Sequence, residues 1–559
     1  MQKAILVLLI SIYSISLAAI PAKRERYTLT LADGTKIEAT SMGDEVMHFY
    51  MTDDGRYLHC DSNGIASFVD RDTLYARWQA RAEKRQAARV RRNSARRAQR
   101  RAGQNPMTGS RRGLVILVDF PDKPFYYSKA DFNGLFNVEG YTDNINTGSV
   151  HDYFLDASYG QFNFSFDIAG PVTMSNNLSY YGSNNEIGDD KHPAIMVAEA
   201  IQLIKDEVDF SKYDWDGDGE VENIFIVHSG YDEAQTSRNS DIWSHAWTLS
   251  EAKDEGDGDG PITIDGILID SYATSSELDG KSGLTFTGIG TPCHEFSHCF
   301  GLPDFYDTAG SCFGMFSWDL LDYGSYNGGG GTPAGFTSYE RMFCGWLEPI
   351  ELTEPVTVQD MPALTSEPTA YILRNSGKHD EYYLLENRQQ EGWDKYISGH
   401  GLLILHVDYD SQAWHENTVN TIRSHQRMTI IPADNFLSKF GMAGDPWPGT
   451  SGKTELSENS TPAATLYNTN AEGDKLMHHS ITEITESDDG LISFIFDEEA
   501  MGIEEIGSSK GKRGNGEEIE KGEKVNCPIA RCYDLSGRIV NKATKKGVYI
   551  HEGKKIVMP

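Results

Sequence analysis

The stretch TPCHEFSHCFGLPDFYD, residues 291–307, restricts the fold more than any other part of the chain. His294 and His298 stand four positions apart, so their rings share a face only if the segment is helical. Glu295 then lies on the adjoining edge of that helix. Gly301 permits a backbone turn that a side chain would hinder, and Pro303 prevents the helix from resuming. The spacing predicts a helix that stops abruptly and a loop that swings back over the histidines. That loop brings Asp304 as a third ligand, with Asp307 as the competing choice. Two neutral imidazoles and one carboxylate suit Zn2+, and three protein ligands leave one position open to water, as a catalytic site requires. An ion there would supply Lewis-acid activation of that water, and Glu295 is placed to take its proton and pass it to a leaving amine.

The remaining organisation follows from changes of pattern. Residues 1–19 open with Lys3, an apolar run over 4–17 and the small-residue site Ser16-Leu17-Ala18, the layout of a secretory signal peptide. Residues 20–112 are expected to form a pro-region. It begins as a small β-meander of short alternating runs divided by DG and SNG turns, then becomes an arginine-rich hinge. Past Arg112 the run GLVILVDF has the look of a buried strand and opens an α/β catalytic domain over 113–348. Alternating segments such as EYYLLENR and GLLILHVDYD predict a β-sandwich over 349–498, followed by a polar linker at 499–525 and a β-like tail at 526–559. The expected class is multidomain α+β.

Charge narrows the partners. The formal net charge is −33, although residues 71–112 carry fourteen Lys or Arg against Asp72 and Glu83. A long acidic body disfavours nucleic acid and anionic membrane, and no later segment is apolar enough for a stable membrane span. Seven cysteines are too few for a disulfide scaffold in so long a chain. Four of them, Cys293, Cys299, Cys312 and Cys344, surround the opening motif, where one or two local bridges or buried thiols are expected.

A second metal candidate is DWDGDGEVE. Asp214, Asp216 and Asp218, with Gly219 next, reproduce the front of a calcium loop, to be completed by the Glu220 carbonyl and Glu222 or by a distant residue, because position 12 holds Phe225. Calcium there would fasten a loop. His228 and His245 are expected to be core or hydrogen-bonding residues, and Glu386, Asn387, Arg388, His406 and Asp408 to belong to structural networks.

HEFSHCFGLPD resembles the extended zinc-binding signature of metzincin-like metallopeptidases, with Asp where many carry His. With SWDLLDYGSYNGGGGTPAGFTSYERMFCGWL, YDWDGDGEVENIFIVHSG, DIWSHAW, EYYLLENR and GLLILHVD, it is similar to the secreted immune inhibitor A family of bacterial peptidases over about 113–498. The resemblance implies a metzincin-like α/β zinc peptidase domain, zinc at His294, His298 and Asp304, and Glu295 as general base. Leu321 departs from the methionine that relatives usually carry beneath the metal. Met315 could replace it only with a rearranged loop, and Tyr323 in the same turn is a packing residue or an oxyanion donor. CYDLSGRIV and GVYIHEGKKIVMP resemble the C-terminal sorting domain of the type nine secretion route, which implies outer-membrane secretion machinery as a partner.

The expectation is therefore a secreted or cell-surface zinc endopeptidase acting on proteins or peptides and made as a preproprotein, with latency enforced by a carboxylate or by Cys60. An inactive binding protein or adhesin that keeps the fold is the alternative, and a zinc hydrolase of non-peptide amides is a third.

Overall fold

The computed structural model of the 559-residue chain describes residues 18–44, 47–61, 64–74, 76, 107–185, 189–308 and 312–497, and the backbone of four short strands near the C-terminus. Most of the expected signal peptide, nearly all of the arginine-rich hinge and the linker at 499–525 lie outside the described residues.

A two-residue strand β1 (Ala18–Ala19) precedes five strands, β2 (Arg26–Leu31), β3 (Lys36–Gly43), β4 (His48–Met51), β5 (Tyr57–Cys60) and β6 (Ile65–Val69). The expected meander is closed into a barrel, because β2 pairs in parallel with β6 through Thr30↔Ile65 and Leu31↔Ala66. Closure removes the two open edges that a five-stranded meander would present. Leu29, Ala39, Tyr50, Leu58 and Ala66 fill its centre, with Cys60 packed against them.

Past Met107 the chain builds a six-stranded sheet in the order β1-β10-β13-β9-β7-β8, with β1 added as its outermost strand. Its members are β7 (Gly109–Asp119), β8 (Phe162–Thr173), β9 (Ile224–Tyr231), β10 (His245–Thr248) and β13 (Ser271–Leu278), and a hairpin of β11 (Ile262–Ile264) and β12 (Ile267–Ile269) stands apart. Strand β7 is parallel to both β8 and β9, whereas β10 runs antiparallel to β13 at the edge. Alternation along β7 explains its continuous apolar run. Val115 and Leu117 face one core, Leu114, Ile116 and Val118 the other, and both faces are covered. Helices α1 (Lys129–Asn137) and α2 (Val150–Ala157), each opened by a serine capping box, cover the first face, and α3 (Pro193–Ile204) covers the second. Helix α4 (Gly290–Cys299) is buried at all ten residues. Its Phe296 stacks on Phe225 of β9 at 4.5 Å between centroids.

Beyond it, β14 (Ile350–Glu351), β16 (Ala370–Arg374), β17 (Glu381–Arg388), β18 (Gly401–Asp408) and β19 (Met428–Ile430) form one sheet, and β15 (Val356–Met361), β21 (Ile492–Phe496) and β20 (Ile481–Glu486) form another. The two sheets share a core of Leu373, Leu385, Leu402 and Ile404 against Met361, Ile484, Ile492 and Phe494. The opposite side of β17 and β18, carrying Leu384, Leu403 and Leu405, packs into the same core as Phe305, Tyr339 and Trp346. The apolar interior is thus continuous across residue 348. The same seam holds a polar network. Arg388, fully buried, pairs with Glu386 at 2.9 Å and Asp394 at 2.6 Å. Those carboxylates also accept the Ser338 and Gly335 N–H groups from the chain before residue 348. Near the C-terminus the strands Cys532–Asp534, Ile539–Val540, Gly547–His551 and Lys554–Met558 form a separate antiparallel sheet.

Of the two outcomes expected for the cysteines around the motif, buried thiols are found at Cys293 and Cys299, and no disulfide joins the two. Cys293 and Cys299 sit six residues apart on one helix and so point to different faces. Cys299 lies 3.8 Å from the Glu295 carbonyl, and burial pushes both thiols up, which makes them inert packing groups.

His228, on β9, is fully buried, and burial depresses its pKa to about 4 from 6.5. Between those values the unfolded chain binds a proton that the folded chain does not, so stability falls as pH falls from 6.5 towards 4. At pH 4 this group alone is expected to cost about 3 kcal/mol. Urea midpoints at pH 7 and pH 4.5 check it: His228→Gln should lose less stability on acidification than the native chain.

Candidate active site

The helix that carries HEFSH is set deep against the sheet because glycine allows close approach at its start. A Cβ on Gly290 would fall 2.0 Å from the Ser325 carbonyl oxygen. At the other end Gly301 takes φ +94°, the left-handed conformation expected of it, and its N–H donates to the His298 carbonyl at 2.9 Å. The chain then reverses and places Asp304 over the histidines.

Three buried atoms converge there. Asp304 Oδ1 lies 3.1 Å from His294 Nε2 and 3.5 Å from His298 Nε2. None of the three has a hydrogen-bond partner among the described residues, and all three residues are at most 1 % exposed. Their other polar atoms are engaged. His294 Nδ1 meets the Leu320 carbonyl and His298 Nδ1 the Leu302 carbonyl, each at 2.8 Å. A carbonyl accepts only, so each Nδ1 carries a proton, and the neutral form of each ring turns its Nε2 lone pair towards Asp304. Burial holds the His298 imidazole neutral, with its pKa down at about 4. Two lone pairs and a carboxylate oxygen facing one point in a dry interior are a donor set suited to a divalent cation, with zinc favoured by the nitrogen ligands. Asp307 is turned away, accepting the Cys312 N–H at 2.7 Å.

Leu321 and Met315 are both fully buried, and Leu320, between Asp319 and Leu321, supplies the carbonyl that orients His294. Tyr323 packs against Phe316 with ring centroids 5.0 Å apart and planes tilted by 36°, and the Arg24 guanidinium lies 4.4 Å above its ring.

Glu295, fully buried, accepts the Ile20 N–H on Oε1 at 2.9 Å. This contact belongs to an extended segment lying along the site. Ala18 and Ala19 pair antiparallel with Ala246 and His245 of β10, the Ile20 carbonyl accepts from Trp243 Nε1 at 3.1 Å, and the Pro21 carbonyl accepts from Tyr326 Oη at 2.8 Å. The junction expected between leader and pro-region, Ala19–Ile20, is therefore the peptide group whose N–H meets Glu295. Cys60 is on the barrel strand β5, and the group that reaches Glu295 is Ile20. Sequence reading missed Trp243, Tyr326 and Asn417. No spacing signals them, because each acts from a different element. His245 binds the Trp243 carbonyl through Nδ1 at 2.7 Å and has the structural role expected of it.

In the other candidate site, Asp214, Asp216 and Asp218 each bring a carboxylate oxygen within 4.8 Å of the other two. Asp214 accepts the Gly217 and Gly219 N–H groups at 2.7 and 2.9 Å. Glu222 turns instead to the Trp215 N–H at 2.7 Å, and burial pushes its carboxyl well above the usual range; Glu220 is buried beside the loop.

Residues 102–346 match the family model for the immune inhibitor A peptidase M6, catalytic domain. The chain is 27 % identical over 273 residues to the pre-pro-metalloprotease PrtV of Vibrio cholerae serotype O1, an alignment covering 41 % of this chain and 29 % of that protein. It is 26 % identical over 278 residues to immune inhibitor A of Bacillus thuringiensis subsp. alesti, covering 41 % of this chain and 39 % of that protein. The matched region thus spans well under half the length of either relative.

Proposed function

We propose that this chain is a secreted zinc endopeptidase that hydrolyses peptide bonds in protein substrates, with His294, His298 and Asp304 holding the ion and Glu295 as general base. The observation that carries the reading is the meeting of three buried, otherwise unsatisfied donor atoms beside a carboxylate that already faces the N–H of an extended peptide. Zinc bound there would polarise the substrate carbonyl and activate a water. The chain's own groups do the rest. The β10 edge takes a peptide as an added strand, Trp243 and Tyr326 hold its carbonyls, and Glu295 accepts a proton and returns it to the departing amide nitrogen.

The same contact supports a latent form. Residues 20–24, which stay at the front of the pro-region once the leader over 1–19 is removed, meet Glu295 through the Ile20 N–H and are tied to the barrel by the Ala22 N–H to the Gly43 carbonyl at 2.8 Å, so a cut in the arginine-rich hinge ahead of β7 would release them. Asp214, Asp216 and Asp218 are proposed to take calcium as a loop fastener, with the Glu220 carbonyl as a supplementary ligand and Glu222 joining only if it leaves the Trp215 N–H. Extracellular location and passage through outer-membrane secretion machinery rest on the apolar opening and on the C-terminal motifs. No helix of the described residues is long and apolar enough to cross a membrane.

The test is casein degradation by the full chain before and after limited trypsin treatment, with metal analysis. One equivalent of zinc, a rise in activity on cleavage in the arginine-rich hinge and loss with a chelator are expected. Zinc-independent activity, or no proteolysis after cleavage, would overturn the assignment.

A further inference from the structure

A carboxylate on a loop is a poor metal ligand unless something decides which of its oxygens faces the ion. Asp304 follows the turn at Gly301 and has no helix to hold it. Its Oδ1 is aimed at the two imidazoles, and its Oδ2 accepts from Asn417 Nδ2 at 2.6 Å. In return the Asp304 N–H donates to Asn417 Oδ1 at 2.7 Å. The two bonds close a ring, and the ring admits one orientation of the amide. A backbone N–H can only donate and a carboxylate oxygen here only accepts, so neither partner tolerates a flipped Asn417.

Asn417 stands 113 residues downstream and arrives from the trailing β-rich half, just after helix α5 (Ser411–His415). It takes φ +55°, a left-handed conformation that asparagine accepts better than most residues. Its surroundings are tied to the same loop. Thr308 Oγ1 donates to the Asn417 carbonyl at 3.3 Å, and Asn420 Nδ2 donates to the Phe305 carbonyl at 2.7 Å. The choice of an amide also has a reason. Lysine at this place would neutralise Asp304 and compete with a cation, and aspartate would set two negative charges against each other. The amide fixes the carboxylate and leaves its charge for the ion.

We propose that Asn417 is a positioning residue of the metal site. It selects Oδ1 of Asp304 as the ligand atom and makes the trailing half of the chain part of the metal centre. This inference rests on the zinc reading above.

The experiment measures the Zn2+ dissociation constant by competition with a chromophoric chelator, together with the visible spectrum of the Co2+-substituted protein, for the full chain and for Asn417→Gly, Asn417→Ala and Asp304→Ala. Asn417→Gly keeps the left-handed backbone and removes only the clamp, so Zn2+ affinity should fall about 10- to 100-fold and the Co2+ bands should shift. Asn417→Ala should match it in affinity. An Asn417→Gly affinity within twofold of the native value with an unchanged spectrum, while Asp304→Ala abolishes binding, would overturn the positioning role and leave the zinc site standing. Weakening in Asn417→Ala alone would assign the effect to backbone strain and also overturn it. A native chain that takes up neither ion would overturn the zinc reading itself, and Asn417 with it.

Discussion

Glu295→Gln is expected to reduce peptide hydrolysis by about 10²- to 10⁴-fold while leaving zinc content and the circular dichroism spectrum unchanged. Glutamine has nearly the same shape, and its carbonyl can still accept the Ile20 N–H, so the helix and the seating of residues 18–24 are retained. What it cannot do is take a proton from water and deliver it to nitrogen. The comparison is made on the trypsin-treated protein with a peptide substrate. Activity within tenfold of the native value would remove Glu295 from the reaction, and loss of zinc in the same variant would move it from base to structural support.

The second large effect concerns stability. Arg388→Met should destabilise the chain by about 3–5 kcal/mol, because Glu386 and Asp394 would be left as buried charges without their counter-ion. Arg388 donates Nε to Asp394 at 2.7 Å, Nη2 to the same carboxylate at 2.6 Å and Nη1 to Glu386 at 2.9 Å, so one substitution cancels three charge-assisted bonds. Urea unfolding followed by tryptophan fluorescence measures it. A loss under about 1 kcal/mol would mean that water or protonation already compensates the carboxylates. Replacing all three residues with apolar ones of similar volume should recover part of the loss, which separates the uncompensated charge from the packing.

What the sequence disclosed and what it hid divide along the distance over which each interaction acts. The i, i+4 histidines, the left-handed turn at Gly301 and the return of Asp304 are local consequences of a few dihedral preferences, and the run GLVILVDF announced a strand covered on both faces. The closure of the barrel depends on Thr30 meeting Ile65, a pairing that no window of alternating residues contains. Tyr326, Trp243 and Asn417 reach the site from three separate segments; the first two lie inside quoted motifs, yet no spacing within those motifs signals a contact with residues 20–21, and Asn417 lies in none. Cys293 and Cys299 took the buried-thiol side of the expectation, and their spacing of six on one helix, which turns them to different faces, was legible in the sequence. The front of the acidic loop was legible from its spacing, whereas the turn of Glu222 towards Trp215 was set by burial.

The interior that runs without interruption from Phe305 and Trp346 to Leu403 and Leu405 has an evolutionary reading. Two halves that share one wall cannot be shuffled like beads on a string. Replacement of the trailing half would strip the underside of the catalytic half and demand simultaneous change on both sides of the seam, so the pair is expected to be inherited as one piece.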